Sequence, residues 1–398
     1  MSKEITAPEG EHFHIKKGEP LKNMLNHQSL YASALIIRSV YDSFDVDGFL
    51  KTTMDETWDG LELKARGRKV TLSLGKYLPK DYGEALVVID KVIECSKPII
   101  GFSFTDFIEV YGQDDANWDL SMRALEKYTR FWSSEMAVRP FIINQEERMM
   151  AQMLAWSKHE NEHVRRLASE GCRPALPWAQ SLPKYKKDPS PIICILEQLK
   201  SDTSLYVRKS VANNLNDISK THPDLVVKIA KDWYGKNEHT NWIVKHGCRT
   251  LLKKGNREVL AIFGLDNITS VDITDFILET KSILLGEDIV FSFAISTKES
   301  TKVRLEYGVD YVKSKGKRSR KIFQLSQVSL SANEKKLYTR KHSFADVSTR
   351  KHYQGTHSIT LIVNGVERGT LNFELVMPKN RKDADFPESD ESAILEKK

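Results

Sequence analysis

HVRRLASEGC at 163–172, YVRKSVANNL at 206–215 and WIVKHGCRTL at 242–251 are three versions of one pattern. Aligning Val164, Val207 and Ile243 brings Arg166, Lys209 and Lys245 into register. Glu170, Asn213 and Arg249 then coincide, as do Cys172, Leu215 and Leu251. Spacings of 43 and 36 residues fall in the range of HEAT-like helix pairs. A polar turn (KHENE, KSDTS, GKNEH) stands before each segment, where a helix would start. Stacked pairs bury a continuous core and leave a concave face, on which the polar residues in register would line up.

Upstream the reading stays helical. Leu25, Leu35, Ile36, Val40 and Tyr41 are expected on one helix face, and helical patterns follow at 61–78, 82–95 and 104–111. One long helix is expected from Asp119 through Val138, ended by Pro140. Downstream of Gly264 the composition changes. Segments 271–279, 288–296, 302–312, 321–330, 336–344, 357–363 and 368–376 alternate or are rich in Val, Ile, Phe and Tyr. Asn364-Gly365 between two of them signals a hairpin. About seven strands in ~110 residues fit an immunoglobulin-like sandwich. The expectation is a mainly α protein: a HEAT-like α-solenoid at 21–265, then a β-sandwich at 268–377. Residues 1–20 are read as a flexible arm and 378–398 as a disordered tail.

Across all 398 residues, 60 Lys and Arg stand against 54 Asp and Glu. Between Trp156 and Gly255, 18 cations face 10 acids, a local excess of 8 that is larger than the whole chain's +6. KSKGKRSRK at 313–321 is a second basic focus, read as a loop between strands. Both suit a phosphate backbone; for the loop, a solvated hairpin tip is the alternative. The four cysteines include no C-x-x-C pair, which argues against a disulfide framework or a zinc site. HENEH at 159–163 could hold a metal if helical, but the repeat makes it a turn, so no metal is expected. With no leader pattern and no long apolar run, a cytoplasmic protein is expected.

FWSSEMAVRPFI (131–142), WSKHENEHVRRLASEGCRPALPWA (156–179), DTSLYVRKSVANNLNDISKTHPDLV (202–226) and TNWIVKHGCRTLLKKG (240–255) closely resemble the AlkC family of DNA alkylation repair glycosylases. The likeness covers most of residues 20–265. It implies a monofunctional glycosylase acting on N3-methylated bases, 3-methyladenine above all and with 3-methylcytosine as a further candidate. It implies no cofactor or metal. Its partner would be double-stranded DNA with alkylated bases, met by a monomer at the nucleoid. Carried over position by position, the resemblance points to Glu135, Glu170, Trp178 and Asp217 as the catalytic set.

The chemistry asks for such groups. An N3-alkylated purine is already cationic, so it leaves with little protonation. Positive charge then develops on the sugar, where a fixed carboxylate stabilises it and orients water. Trp178 would press on the deoxyribose or the cationic base. Arg166, Arg173, Arg208, Lys209, Asn213, Asn214, Lys245, His246 and Arg249 are the candidate DNA contacts on the repeats, with Lys315, Lys317 and Arg318 on the β-domain. Plainer roles stay open: Glu170 as a surface helix residue, Asp217 as a helix-end cap, Trp178 as a helix plug, Glu135 as an i+4 partner of Arg139. A non-catalytic DNA-binding scaffold and a protein-binding solenoid are the competing functions.

Overall fold

The computed structural model describes residues 19–96, 98–267, 270–346 and 350–378. The expected arm and tail therefore lie almost wholly outside the described residues. The chain divides into two compact units, 1–249 and 250–398.

The first unit is helical. It runs through α1 (His27–Val40), α2 (Val46–Thr53), α3 (Leu63–Tyr77), α4 (Tyr82–Cys95), α5 (Gly101–Tyr111) and α6 (Trp118–Tyr128). It continues with α7 (Val138–Asn144), α8 (Glu146–Trp156), α9 (Glu162–Gly171), α10 (Pro183–Lys187), α11 (Ser190–Leu199), α12 (Leu205–Ile218), α13 (Pro223–Trp233) and α14 (Glu238–Gly247). The repeat holds as helix pairs α8/α9, α11/α12 and α13/α14, with α12 packed between α9 and α14. Val164, Val207 and Ile243 are fully buried in register. Each polar turn supplies a cap: Asn161, Ser204 and Asn237 accept backbone N–H bonds at the starts of α9, α12 and α14. Arg165 reaches the next pair through Asp202, at 2.6 and 3.1 Å to its two oxygens.

Two local expectations are corrected. α1 buries Leu30, Ala34 and Ile37, whereas Leu35 is exposed; Ser29 and Ser33 on the buried face hide the stripe from a hydrophobic count. The long helix 119–138 is broken. α6 stops at Tyr128, and Pro140 sits in the first turn of α7 rather than ending a helix. A first-turn proline costs nothing there, because that N–H has no intrahelical acceptor.

From the unit boundary onward, α15 (Arg249–Lys253) and α16 (Arg257–Ile262) lead into strands β1 (Val271–Leu278), β2 (Ser282–Leu284), β3 (Asp288–Thr297), β4 (Thr301–Val312), β5 (Arg318–Leu330), β6 (Lys335–Ser343), β7 (Gly355–Val363) and β8 (Val366–Val376). They form sheets ordered β1-β3-β6 and β2-β8-β7-β4-β5 around a core that includes Phe291, Phe293, Leu305, Ile359, Leu361 and Phe373. β2 was not expected from the sequence: three residues are too few for alternation to register, and it pairs parallel to β8. Asn364 and Gly365 turn β7 into β8 at φ +47° and +74°, the left-handed pair such a hairpin needs. The basic 313–321 segment is not a loose loop. It is a tight turn closed by Lys313 N–H to Lys317 C=O at 2.8 Å, followed directly by β5.

Candidate active site

Glu135, Glu170 and Asp217 come from three places in the chain: the segment before α7, the last turn of α9 and the last turn of α12. The structure strings them into one row with cations between. Glu135 pairs with the Arg166 guanidinium. Arg166 Nη2 lies 3.6 Å from Glu170 Oε1. Arg173 Nη1 donates to the same Glu170 oxygen at 2.5 Å, while its Nε and Nη2 reach Asp217 Oδ2 at 2.9 and 2.8 Å. Lys220 Nζ donates to Asp217 Oδ1 at 2.9 Å. Three carboxylates alternate with three cations. Glu170, Arg173 and Asp217 are all buried.

This placement rules out three plainer roles. Glu170 is not a surface helix residue. Asp217 caps nothing, because its oxygens are taken by Arg173 and Lys220. Glu135 pairs with Arg166, not with Arg139. Burial alone would make Arg173 a weaker base, but Glu170 and Asp217 outweigh it and hold the charge above the ordinary arginine value. Arg166 shows the same balance, with Glu135 and Glu170 overcoming burial. Among the described residues no donor sits on Oε2 of Glu170.

Trp178 lies on the loop between α9 and α10. It is 72% exposed and left-handed at φ +64°. A non-glycine residue holds that backbone at a cost of about 1 kcal/mol or more. A helix plug would be buried, so that role fails as well. Gly171, at the start of the loop, has no room for a side chain: a Cβ there would stand 2.6 Å from Val138 Cγ2.

The candidate DNA contacts separate into two groups. Lys209, Lys245 and His246 are exposed, as are Lys315, Lys317 and Arg318. The others are engaged. Asn214 is fully buried and donates to the Ser169 carbonyl at 2.9 Å, so it cannot meet DNA. Arg173 is corrected likewise, from phosphate contact to clamp between carboxylates. Asn213 accepts from Arg249 at 3.0 Å, which ties two of the aligned positions to each other. Arg208 donates to the Asp202 and Thr203 carbonyls. In β5, just past the basic turn, Arg320 is bound by Asp310 and Glu367.

Several residues escaped the sequence reading. One place before the aligned aliphatics stand His163, Tyr206 and Trp242, a ring in each repeat. His163 and Tyr206 meet edge-to-face at 5.4 Å, and Trp242 stacks on His246 at 3.7 Å. Arg166 lies over Tyr206 at 4.9 Å. Burial, with Glu135 and Glu170 adding to it, raises the Tyr206 hydroxyl above its usual range. The repeat register, which already sets Trp242 and His246 on one groove with a core role for Trp242 as the alternative, was the signal that could have found the other two rings. Arg139 and Lys220 left no comparable signal. Two surface cavities of about 480 and 450 Å³, beside Gln145–Arg148 and beside Glu279–Asp288, contain none of these groups.

A family model described as DNA alkylation repair enzyme matches residues 114–251, which hold the whole carboxylate row. The solved alkylpurine DNA glycosylase AlkC of Pseudomonas fluorescens, bound to DNA containing an abasic site analog, superposes with a TM-score of 0.87. It is 38% identical over 90% of this chain and 100% of that one. The chain belongs to the AlkC family. Another relative, the uncharacterized protein YhaZ of Bacillus subtilis, is 49% identical over 89% of this chain and 99% of its own. The C-terminal Ig-like domain named for YhaZ matches residues 272–377, which places the β-sandwich within the same AlkC-type architecture.

Proposed function

We propose that this AlkC-family chain is a monofunctional DNA glycosylase that hydrolyses the N-glycosidic bond of N3-alkylated bases in duplex DNA, with 3-methyladenine as its chief substrate and 3-methylcytosine as a second. It works as a monomer on nucleoid DNA. The observation that carries this is the row Glu135–Arg166–Glu170–Arg173–Asp217, buried from Glu170 to Asp217, with an exposed tryptophan on the loop that carries Arg173. Three carboxylates in a basic array would repel a phosphate backbone; the interleaved arginines cancel that repulsion while fixing the oxygens in place. The alkylated base leaves as a neutral molecule, and the charge it sheds develops on the sugar. Asp217, saturated by donors, supplies fixed negative potential to that charge. Glu170, with Oε2 open, takes the proton of the attacking water. Trp178 packs its exposed ring against the deoxyribose and the cationic base. Lys209 and Lys245 hold the backbone.

The test is base release from methylated duplex DNA, analysed by product and without added metal. Wild-type protein is expected to release free 3-methyladenine. Asp217→Asn and Glu170→Gln are expected to slow release by two orders of magnitude or more while DNA binding survives. Binding without release above the spontaneous rate would establish the scaffold reading instead.

A further inference from the structure

The loop between α9 and α10 carries Arg173 and Trp178, yet it has little structure of its own. Its internal backbone bonds, Ala179 N–H to Leu176 C=O and Leu182 N–H to Pro174 C=O, are both long at 3.4 Å. The loop is held instead by two cations from elsewhere in the chain. Arg139, in the first turn of α7, donates Nη1 to the carbonyls of Gly171 at 2.9 Å and Arg173 at 3.0 Å, and Nε to that of Gln180. Lys64, on α3, donates to the Trp178 carbonyl at 2.9 Å.

Arg139 is fully buried. Among the described residues no carboxylate forms an ion pair with it, and its Nη2 has no partner. Burial lowers its pKa to about 10. Glu135 and Asp217 act on it only from beyond ion-pair distance, so carbonyl oxygens are its direct partners, and a buried charge held in this way is a costly device for stability. What the guanidinium achieves is reach: one planar fork joins both ends of the loop, which a single ammonium cannot do.

We propose that Arg139 is a positioning residue for base excision. It locks the 171–180 loop so that Arg173 stays between Glu170 and Asp217 and Trp178 stays presented to the lesion, with Lys64 completing the clamp at its surface end. The inference rests on the glycosylase reading for its activity arm, whereas its structural arm stands apart from that reading.

Two measurements on the full chain test it. In single-turnover release of 3-methyladenine, Arg139→Lys is expected to be at least tenfold slower, with DNA affinity within twofold of wild type. By hydrogen exchange, amides of 172–182 are expected to exchange at least tenfold faster while those of α12 are unchanged. Guanidinium ion added to Arg139→Ala is expected to restore part of the rate. Wild-type excision with wild-type exchange in Arg139→Lys would overturn the proposal. So would exchange rising equally through α9 and α12, which marks a general packing role. If Arg139→Lys does not fold, Lys64→Met decides: faster exchange around Trp178 with several-fold slower excision supports the clamp, and wild-type values of both refute it. Absence of base release from the wild-type protein would refute the glycosylase reading alone, and the exchange result would still judge the clamp.

Discussion

Replacing Arg173 by methionine separates a clamp from a phosphate contact. The guanidinium makes bonds of 2.5, 2.8 and 2.9 Å to Glu170 and Asp217, and all three side chains are over nine-tenths buried. Removing the cation leaves two buried carboxylates without the group between them, Glu170 with only Arg166 at 3.6 Å and Asp217 with only Lys220 at 2.9 Å. Breaking a buried pair in this way costs about 3–5 kcal/mol. For a unit of this size that lowers Tm by roughly 10 °C. Neutralising a partner should relieve part of the penalty, so Arg173→Met with Asp217→Asn is expected to be more stable than the single variant, with a coupling of about 1–3 kcal/mol. Urea unfolding of the four proteins in the cycle measures it. On DNA, Arg173→Met should abolish excision yet leave the salt dependence of binding unchanged. A loss under about 1 kcal/mol, additive with Asp217→Asn, would refute the clamp. So would a salt slope reduced by about one, the signature of a lost phosphate contact.

Trp178→Gly should raise stability by about 1 kcal/mol, because it relieves the left-handed backbone and removes an exposed ring; excision should nonetheless fall, and unfolding and release assays on one preparation check both. Exchanging Lys315, Lys317 and Arg318 for glutamine should flatten the salt slope of DNA binding by up to about 2–3, whereas an unchanged slope would make the turn bystander charge. His342, bridging Tyr307 and Tyr311 at 2.9 and 2.6 Å in the β-domain, has its pKa lowered by burial, with Arg350 and His352 adding to it, from 6.5 to about 4. The folded state therefore binds fewer protons than the unfolded one. Its contribution is whole above pH 6.5 and is lost between there and about pH 4, a change of roughly 3 kcal/mol. Unfolding midpoints across that range should fall for wild type and stay flatter for His342→Gln.

The repeat and the sandwich were legible for a plain reason. Val164, Val207 and Ile243 recur because every helix pair must bury the same position, and Asn364-Gly365 because few residues accept two left-handed conformations in succession. Leu35 misled because hydrophobicity alone does not say which face packs when serines share it. Pro140 misled because its effect depends on whether it stands at the start of a helix or within one, and a sequence window does not show which. For the site, residue types were readable and partnerships were not. Glu170 and Asp217 stand 47 positions apart, and only the stacking of α9 against α12 brings both onto one guanidinium.

The sequence by itself determined the architecture and the residue types: helical periodicity, the cap residues and the AlkC-like motifs set out the helix pairs and pointed to Glu135, Glu170, Trp178 and Asp217. The tertiary structure alone decided their partners and their burial. It turned Arg173 from a DNA contact into the clamp between two acids, buried Asn214, exposed Trp178 on a strained turn, and recruited Arg139 from the first turn of α7. Periodicity is a local property, written every few residues by the geometry of a helix. Which charge neutralises which is a matter of distance and burial, and those exist only once the helices are stacked.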